Sequence, residues 1–318
     1  MTAPNTSVTS PANGTTAVHT ILTQLLAAGW LVKAWSDGTT LVSDVSLSSN
    51  PYGSASSGAG NLGNTSAWFR VQSADASREW LFQRGASETS WTVSRTIGGT
   101  PFTGGTPNAT TAGTSAAATA LFSAASLFSA TPGRMFLSVD TTAPYRWTGW
   151  LQTLGGGNVL TILGDEPLAT NTYESSDTDP HLWIGYYNST GLAPGGFMPN
   201  AASTAIVYKR FVGAGSNQRA SFLTLYDVNL GGNYCAPAQS TLTQGGPTQG
   251  AKEVPIRIHV MRGGATSTTT GYIGQTSGMR WSTVGGRANG STLYDGTNYW
   301  CFMAGIWVPW DSSTPSLS

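Results

Sequence analysis

Short apolar segments separated by turn-forming residues are the feature that most restricts how this chain can fold. The segments have the length and the alternating pattern of β-strands, and clusters of Gly, Pro, Asn and Ser lie between them. The predicted strands are residues 30–35, 41–47, 67–73, 78–84, 90–96, 134–139, 145–152, 158–163, 181–188, 205–212, 221–227, 255–261, 271–275 and 299–308. Their spacing is uneven and no regular alternation with helices occurs, which disfavours a parallel doubly wound sheet. We predict a mainly β protein whose body is an antiparallel β-sandwich or jelly-roll-like fold.

One segment has helical periodicity. From Thr16 to Gly29 the apolar residues recur at helical spacing, with Thr16 as the predicted N-cap and Gly29 as the C-terminal stop. These apolar residues are Val18, Ile21, Leu22, Leu25 and Leu26. A second segment, residues 116–130, is compatible with either a helix or a loop because Ser and Thr interrupt it. The body is therefore predicted to carry one short N-terminal α-helix.

The chain is predicted to divide into two parts. Residues 1–29 form an extended N-terminal arm and the helix, and residues 30–318 form the β-sandwich body with long Gly/Ser/Thr-rich loops and a C-terminal tail. Residues 1–16 contain too little apolar surface to order themselves. We therefore expect a neighbouring subunit to hold this arm.

The segment REWLFQRGASETSWTVSRT, residues 78–96, combines aromatic and basic residues in two alternating runs. Such a pattern predicts a β-hairpin in which the aromatic and β-branched side chains are buried together. These side chains are Trp80, Phe82, Trp91 and Val93. The arginines of the segment are expected at the rim of the hairpin. The alternative interpretation is a surface that stacks on nucleic-acid bases or sugars.

The segment NYWCFMAGIWVPWD near the C-terminus is apolar on both faces when it is drawn as one strand. Tyr299, Cys301, Met303, Gly305 and Trp307 then share one face, and Trp300, Phe302, Ala304 and Ile306 share the other. A strand of this kind belongs between two packed layers or beneath a partner subunit.

The charge content indicates an assembly component. Only 9% of the residues are charged, and the 15 basic residues balance the 15 acidic ones. A neutral surface rich in Gly, Ser and Thr is typical of a protein whose exterior is covered by other protein. The balance supplies no field to attract nucleic acid, and no apolar run is long enough to span a membrane. Because twelve of the basic residues are Arg, which suits planar pairing, this bias also favours interfaces.

No motif indicates an enzyme, a cofactor or a metal. GAGNLG, residues 58–63, matches a dinucleotide-binding pattern formally, but neither a strand before it nor a helix after it is predicted. Asp177 and Asp179, directly before Pro180, are expected to lie in a solvated turn. Together with Asp165, Glu166 and Glu174 upstream, they offer two alternatives, a calcium site and a glycosidase pair. The three histidines are far apart, and Cys235 and Cys301 are expected to be reduced thiols.

Four aromatic residues are candidates for contact with a partner protein or a surface glycan. They are Trp150, Tyr187, Trp307 and Trp310. Trp147 and Trp150 differ by three positions, so in an uninterrupted strand they point to opposite faces. One of the two is expected in the core and the other at an interface.

Several segments together resemble a recurrent group of structural proteins in the virions of tailed bacteriophages. The segments are AWFRVQS, REWLFQRG, SWTVSRT, FTGGTPNATT, RMFLSVDTTAPYRWTGWLQ, DTDPHLWIGYYN and IWVPWDSSTPSLS. They cover most of residues 67–311 and consist of strand-spaced aromatic residues and turns. The resemblance implies a structural role in the tail, baseplate or neck and supplies no catalytic residue. The Ala-rich segment 114–130 and the loops 231–250 and 263–270 depart from the pattern.

The sequence therefore predicts a non-enzymatic virion component, made in the host cytoplasm, that binds copies of itself and other virion proteins. A capsid-surface decoration protein is one alternative. A lectin-like module that recognises host glycans is another, and a carbohydrate-degrading enzyme is a third. No cofactor, nucleic acid or membrane span is expected.

Overall fold

The computed structural model describes residues 4–53, 61–87, 91–95, 119–120, 134–152, 160–171, 181–188, 206–209, 218–223, 256–262, 271–281, 290–303 and 306–311. Within these ranges the protein is mainly β, and its strand pairs are antiparallel. A single short helix lies near the N-terminus of the described part. The predicted fold class is thus confirmed.

The helix α1 spans Gly14–Ala27, and its N-cap lies three residues before the predicted N-cap, Thr16. Its N-cap is Asn13, whose side-chain oxygen accepts a hydrogen bond from the backbone N–H of Thr16 at 2.8 Å. Gly29 follows the helix with φ +90°, a conformation that glycine adopts without strain. The N–H groups of Gly29 and Trp30 donate to the carbonyls of Leu26 and Leu25, which closes the C-terminus.

Twelve strands form the large sheet. In spatial order they are β1 (Asn5–Thr9), β8 (Arg134–Val139), β9 (Trp147–Gln152), β10 (Leu160–Asn171), β11 (His181–Asn188), β12 (Ile206–Lys209), β13 (Gln218–Leu223), β14 (Ile256–Arg262), β15 (Gly271–Trp281), β18 (Ile306–Trp310), β17 (Tyr299–Met303) and β16 (Thr292–Tyr294). The last residues of β10 pair with β15 as well, after a shift of register between Leu168 and Thr170. This extra pairing brings the middle of the large sheet close to residues 274–280.

Six strands form the small sheet. In spatial order they are β3 (Leu41–Val42), β2 (Leu31–Ser36), β4 (Trp68–Gln72), β5 (Glu79–Arg84), β6 (Trp91–Arg95) and β7 (Thr119–Ala120). The sequence did not predict β1, β7 or β16. Of the predicted strand 41–47, only Leu41–Val42 is regular, and Leu47 forms an isolated bridge with Val32. Apart from β7, the segment 116–130 lies outside the described residues.

The main core lies between the two sheets and α1. It contains buried residues of α1, of β2, β4, β5 and β6 in the small sheet, and of β8 and β9 in the large sheet. The indole of Trp147 on β9 contacts Trp80 and Phe82 on β5, at centroid distances of 5.0 and 6.1 Å. The fold is therefore a sandwich, and residues on both sides of position 29 contribute to one core.

The predicted hairpin of residues 78–96 is present as β5 and β6. Phe82 pairs with Val93, and Arg84 pairs with Trp91. Trp80, Phe82, Trp91 and Val93 are all fully buried in the main core, as predicted. The aromatic side chains of this hairpin are therefore not a stacking surface for bases or sugars.

The expectation that the arginines of this hairpin lie at its rim is wrong for Arg78 and Arg84, which are both buried. The Arg78 guanidinium donates hydrogen bonds to the carbonyls of Pro144 and Tyr145 in the turn between β8 and β9, at 2.6 and 3.2 Å. Arg70 on the adjacent strand β4 is buried in an ion pair with Glu79. The carbonyl partners of Arg78 and the carboxylate partner of Arg70 offset part of the cost of burying a guanidinium.

The N-terminal arm is ordered by its own chain, which corrects the expectation that a neighbouring subunit must hold it. Strand β1 pairs with β8, with Ser7 opposite Leu137 and Val8 opposite Phe136. Backbone hydrogen bonds to a strand edge do not require apolar side chains, so a polar segment can be held in this way. Residues 1–3 and 312–318 lie outside the described residues.

The C-terminal apolar segment is a hairpin, and the prediction of one continuous strand is wrong. The chain reverses between Met303 and Ile306, and Phe302 on β17 then pairs with Trp307 on β18. Trp300, Phe302 and Trp307 form one buried cluster, so Trp307 shares a face with the two residues predicted to oppose it. Because of the reversal, every residue after it lies on the opposite face from the one that continued alternation would give.

Candidate functional site

The tyrosine surface, which we define as Tyr294 and Tyr299, is the candidate interaction site. The two residues oppose each other across the β16–β17 hairpin, and their ring centroids are 4.6 Å apart. Tyr294 is 54% exposed and Tyr299 is 39% exposed. Leu41, on the edge strand β3 of the small sheet, is the other large apolar side chain exposed among the described residues. Of the three large apolar side chains exposed among the described residues, the two tyrosines are therefore adjacent.

The turn of this hairpin is fixed by Asp295. One carboxylate oxygen accepts hydrogen bonds from the backbone N–H groups of Thr297 and Asn298, and the other accepts from the indole N–H of Trp300 at 2.8 Å. Desolvation acts to raise the pKa of Asp295, but these hydrogen bonds outweigh it and the pKa is lowered. The Tyr294 hydroxyl donates to the carbonyl of Gly296. The carboxylate therefore holds the turn that carries the tyrosines.

The hairpin is supported from below by a buried aromatic cluster. Trp300, Phe302 and Trp307 pack together with the half-buried Leu293, and the rings of Phe302 and Trp307 meet edge to face at 5.2 Å. The Arg280 guanidinium lies 5.3 Å from the centroid of the Trp300 ring, a cation–π contact. A rigid support reduces the conformational entropy that the tyrosines would lose on binding a partner.

Of the four aromatic residues predicted as contacts, two are buried, and the side chains of the other two lie outside what the structure describes. Trp307 is fully buried and Trp310 is 3% exposed, so neither side chain presents a stacking face in this structure. Trp150 lies on β9 opposite Phe136 and Ile162, and Tyr187 lies on β11 opposite Thr161. The side chains of Trp150 and Tyr187 lie outside what the structure describes. Trp147, which was paired with Trp150 in the prediction that one of the two lies in the core, is fully buried there.

A second group of polar side chains is a buried ionic cluster around Arg146, which directly precedes β9. The Arg146 guanidinium donates to the hydroxyls of Ser138 and Thr148 and forms an ion pair with Asp140 at 2.9 Å. Ser138 in turn donates to the carbonyl of Pro309 on β18. The cluster therefore connects β8, β9 and β18.

Glu166 on β10 completes this cluster. One carboxylate oxygen accepts hydrogen bonds from the backbone N–H groups of Gly278 and Met279, at 2.6 and 2.9 Å, and the other has no hydrogen-bond partner among the described residues. Burial raises the pKa of Glu166 from 4.5 to about 7, although Arg146 and the two N–H groups act to lower it. Glu166 is fully buried, so this carboxylate is closed to a polysaccharide substrate.

Gly278 lets the charged groups of this cluster approach the backbone. A Cβ atom at this position would lie 2.6 Å from Cδ of Arg146, 2.8 Å from its Nε and 3.1 Å from Oε2 of Glu166. A side chain at this position would therefore displace Arg146. No sequence pattern predicted this contact, because Glu166 and Gly278 are 112 positions apart.

The remaining predicted motifs carry structural roles or lie outside the described residues. Of GAGNLG, residues 61–63 are described, and Asn61 caps a turn that leads into strand β4 rather than a helix. The His19 imidazole on α1 lies 3.4 Å from the carbonyl of Tyr52 and 3.1 Å from the side-chain nitrogen of Asn50, as expected for a structural histidine. Burial raises the pKa of the Cys301 thiol. Glu174, Asp177, Asp179 and Cys235 lie outside the described residues.

No group of His, Cys, Asp and Glu residues in the described part of the chain is arranged to hold a metal ion. Among the same residues, no helix has the length and apolar character needed to cross a membrane. Comparison of the chain with protein-family models, with curated proteins and with solved structures found no match.

Proposed function

We propose that this chain is a non-enzymatic structural component of a bacteriophage particle, which assembles through protein–protein contacts in the tail, baseplate or neck. The resemblance of its segments to virion proteins supports the location. The observation that carries the proposal of assembly is the tyrosine surface, an exposed pair of aromatic rings on a hairpin at the end of the large sheet whose turn is hydrogen-bonded by Asp295.

The distribution of charge supports assembly. Among the residues whose burial is described, eight charged side chains are buried, which leaves fewer charges on the exterior of a chain with 15 basic and 15 acidic residues. The buried ones are Asp37, Arg70, Arg78, Glu79, Arg84, Arg146, Glu166 and Arg280. Of the seven arginines whose burial is described, five are buried, so the Arg bias serves the interior of the chain as well as any interface. A weakly charged exterior opposes association less than an ordinary surface does.

Tyrosine is a suitable anchor for such a contact. Interface hot spots are enriched in Tyr, whose ring buries a large area while its two side-chain torsions lose little entropy. The Asp295 turn and the Trp300 cluster already hold both rings in place. In the assembled particle the surface would therefore contribute affinity without first becoming ordered.

The location is tested on intact particles. Gradient-purified particles from the source culture should contain peptides of this chain in a fixed ratio to the other virion proteins, as measured by quantitative mass spectrometry. A cryo-electron microscopy map of the same particles should contain the sandwich in the tail, baseplate or neck. Density on the capsid shell would support the decoration role instead. Chain found only in the soluble fraction would contradict the proposal.

The contact is tested with matched surface variants. Tyr294→Ser combined with Tyr299→Ser removes both exposed rings, whereas Leu41→Ser removes an exposed apolar side chain on the small sheet. We expect the double variant to be excluded from particles when it competes with the unaltered chain, and Leu41→Ser to be incorporated normally. Circular dichroism should show that both variants keep the fold. Equal incorporation of the two variants would exclude the tyrosine surface as a contact.

The tyrosine surface also supports a second candidate, a lectin-like module for host glycans, because exposed aromatic rings stack on sugar rings. Glycan-array binding that is lost in the Tyr294→Ser, Tyr299→Ser double variant and retained in Leu41→Ser would favour this role. Absence of binding to arrays and to whole host cells would count against it.

A further inference from the structure

Two arginines, Arg257 and Arg280, lie directly opposite each other where β14 and β15 pair. Residues that oppose each other across an antiparallel pair point to the same face of the sheet, so the two guanidinium groups are neighbours. Like charges in this arrangement repel each other and destabilise the pair of strands. The two arginines therefore concentrate positive charge at one place on the large sheet.

The Arg280 side chain is held in one orientation by its own strand and by Trp300. Its Nη1 atom donates hydrogen bonds to the backbone carbonyls of Thr276, Gly278 and Met279, at 3.3, 3.1 and 2.8 Å. The central carbon of the guanidinium lies 5.3 Å from the centroid of the Trp300 ring. Because these contacts already fix the guanidinium, it would lose little side-chain entropy on binding a ligand.

The other edge of the Arg280 guanidinium, formed by Nε and Nη2, makes no hydrogen bond within the described part of the chain. Neither atom is among the polar atoms that the chain encloses, whereas Nε of Arg146 is. The Nε–H group and one N–H group of Nη2 point in parallel, an arrangement that binds two oxygens of one carboxylate or phosphate group. Arg280 therefore presents an accessible pair of donors, although only 8% of the residue is exposed.

Neither arginine forms an ion pair with another described residue. Arg257 is exposed, and the two carboxylates that attract Arg280, Glu166 and Asp295, are bound elsewhere. Glu166 accepts backbone N–H groups of β15, and Asp295 accepts those of its own turn and the indole N–H of Trp300. Burial lowers the pKa of Arg280, and the neighbouring Arg257 lowers it further. Buried cations in folded proteins are usually paired with an anion, so an anion from outside the described residues is expected.

We propose that Arg257 and Arg280 together bind an oxyanion group, a carboxylate or a phosphate, on the large sheet. The Nε–Nη2 edge of Arg280 binds two oxygens of the group, and the exposed Arg257 side chain reaches it from the neighbouring strand. The bound anion replaces the repulsion between the two guanidinium groups by two attractions. A free phosphate ion and an acidic side chain of a partner protein both offer this chemistry. The inference goes beyond the proposed function and does not depend on it, because the isolated chain can be tested.

Nuclear magnetic resonance of the arginine side chains tests the site directly. In a chain labelled with nitrogen-15 at arginine Nε, the Arg280 signal is the one that disappears in Arg280→Lys. Sodium phosphate and sodium glutarate, both dianions at pH 8, are added separately in place of sodium chloride at constant ionic strength. We expect the Arg280 signal to shift with at least one of them. Tighter binding of phosphate would identify a free ion as the source, and tighter binding of glutarate an acidic side chain. No shift with either anion would overturn the proposal.

Arg257→Gln tests whether the two arginines act together, and it keeps every contact of Arg280 with the backbone. Isothermal titration calorimetry should show about tenfold weaker binding of the anion, the effect of losing one charged hydrogen bond. Lys33→Gln, which removes a positive charge from β2 of the small sheet, should bind as the unaltered chain does. In chloride, Arg257→Gln should unfold at the same or a higher temperature than the unaltered chain, because the repulsion is relieved, and in the bound anion at a lower one. Equal binding by the Arg257→Gln and Lys33→Gln variants would overturn the proposal.

Discussion

The indole of Trp80 meets the indole of Trp147 edge to face, with ring centroids 5.0 Å apart. Trp80 belongs to the small sheet and Trp147 to the large sheet, and both side chains are fully buried. Phe82, also in the small sheet, contacts the same Trp147 ring at a centroid distance of 6.1 Å. This aromatic pair is therefore a direct connection between the two layers of the sandwich.

Replacement of Trp147 by alanine should destabilise the fold by about 3–5 kcal/mol, the range observed when a large buried aromatic side chain is removed. The cost arises from lost apolar burial and from the cavity left between the sheets. Urea unfolding followed by tryptophan fluorescence measures the change. Trp147→Phe, which keeps an aromatic ring at the contact, should lose less than half as much. Equal losses in the two variants would argue against the importance of the aromatic contact.

Gly278→Ala should destabilise the protein by about 1–3 kcal/mol, because the new methyl group overlaps the Arg146 side chain. Arg146 cannot move freely, since Ser138, Asp140 and Thr148 all bind its guanidinium. Gly53→Ala is the matched control, as a Cβ atom there meets nothing within 4 Å. Thermal unfolding of both variants should show a lower midpoint for Gly278→Ala alone. A similar midpoint for both would show that the cluster adapts.

Glu166 should make the protein less stable as the pH rises from about 4.5 to about 7. Its pKa is about 7 in the folded protein and 4.5 ordinarily. The folded state therefore holds the proton more tightly, and its stabilisation is complete below pH 4.5 and lost as the pH rises through 7. The shift corresponds to roughly 3 kcal/mol.

The variant Glu166→Gln isolates this effect, because it cannot ionise and keeps an acceptor for the N–H groups of Gly278 and Met279. Chemical unfolding between pH 4 and pH 8 should show a decline in stability for the unaltered protein relative to the variant. Asp75 and Asp295, whose pKa values are lowered, change stability in the opposite direction at more acidic pH and do so in both proteins. Parallel pH profiles for the two proteins would contradict the assignment.

Asn13→Ala should destabilise α1 by about 1 kcal/mol, because it removes the side chain that accepts the Thr16 N–H. Asn13→Asp should keep the cap, and its charge should favour the helix N-terminus, where the first turn has no acidic residue. Differential scanning calorimetry should therefore show a lower midpoint for the alanine variant and an unchanged or higher midpoint for the aspartate variant. Equal midpoints would show that the cap contributes little.

Local patterns predicted the hairpin of β5 and β6 correctly because both strands alternate cleanly and a polar turn separates them. The same alternation placed Trp80, Phe82, Trp91 and Val93 on one buried face. Helix α1 was predicted from its apolar periodicity, with an error at the N-cap because Asn13 and Thr16 are both good capping residues. These features depend on neighbours in sequence.

Features that depend on distant residues could not be predicted. A polar strand such as β1 carries no apolar pattern, and its position is determined by the open edge of β8. The reversal between Met303 and Ile306 occurs within an almost continuous apolar run, so alternation was extended across it and Trp307 was assigned to the wrong face. The buried Arg78 was predicted at a rim because its partners, the carbonyls of Pro144 and Tyr145, are 66 and 67 positions away.

The tyrosine surface was also missed, because Tyr294 belongs to a three-residue strand within a stretch rich in Gly, Ser and Thr. A usable signal was the sequence YDGTNY, residues 294–299, in which two tyrosines flank a turn. Aromatic residues were instead sought in long apolar runs. Runs of that kind supply the core, as Trp307 and Trp310 show.

The enclosed thiol of Cys301 has a practical consequence for experiments on this chain. A buried thiol with a raised pKa reacts slowly with alkylating reagents while the protein is folded. In a chain without Cys235, the rate at which iodoacetamide modifies Cys301 would report how often the C-terminal hairpin opens. The native thiol of Cys301 would thus report the rate of that opening without an added probe.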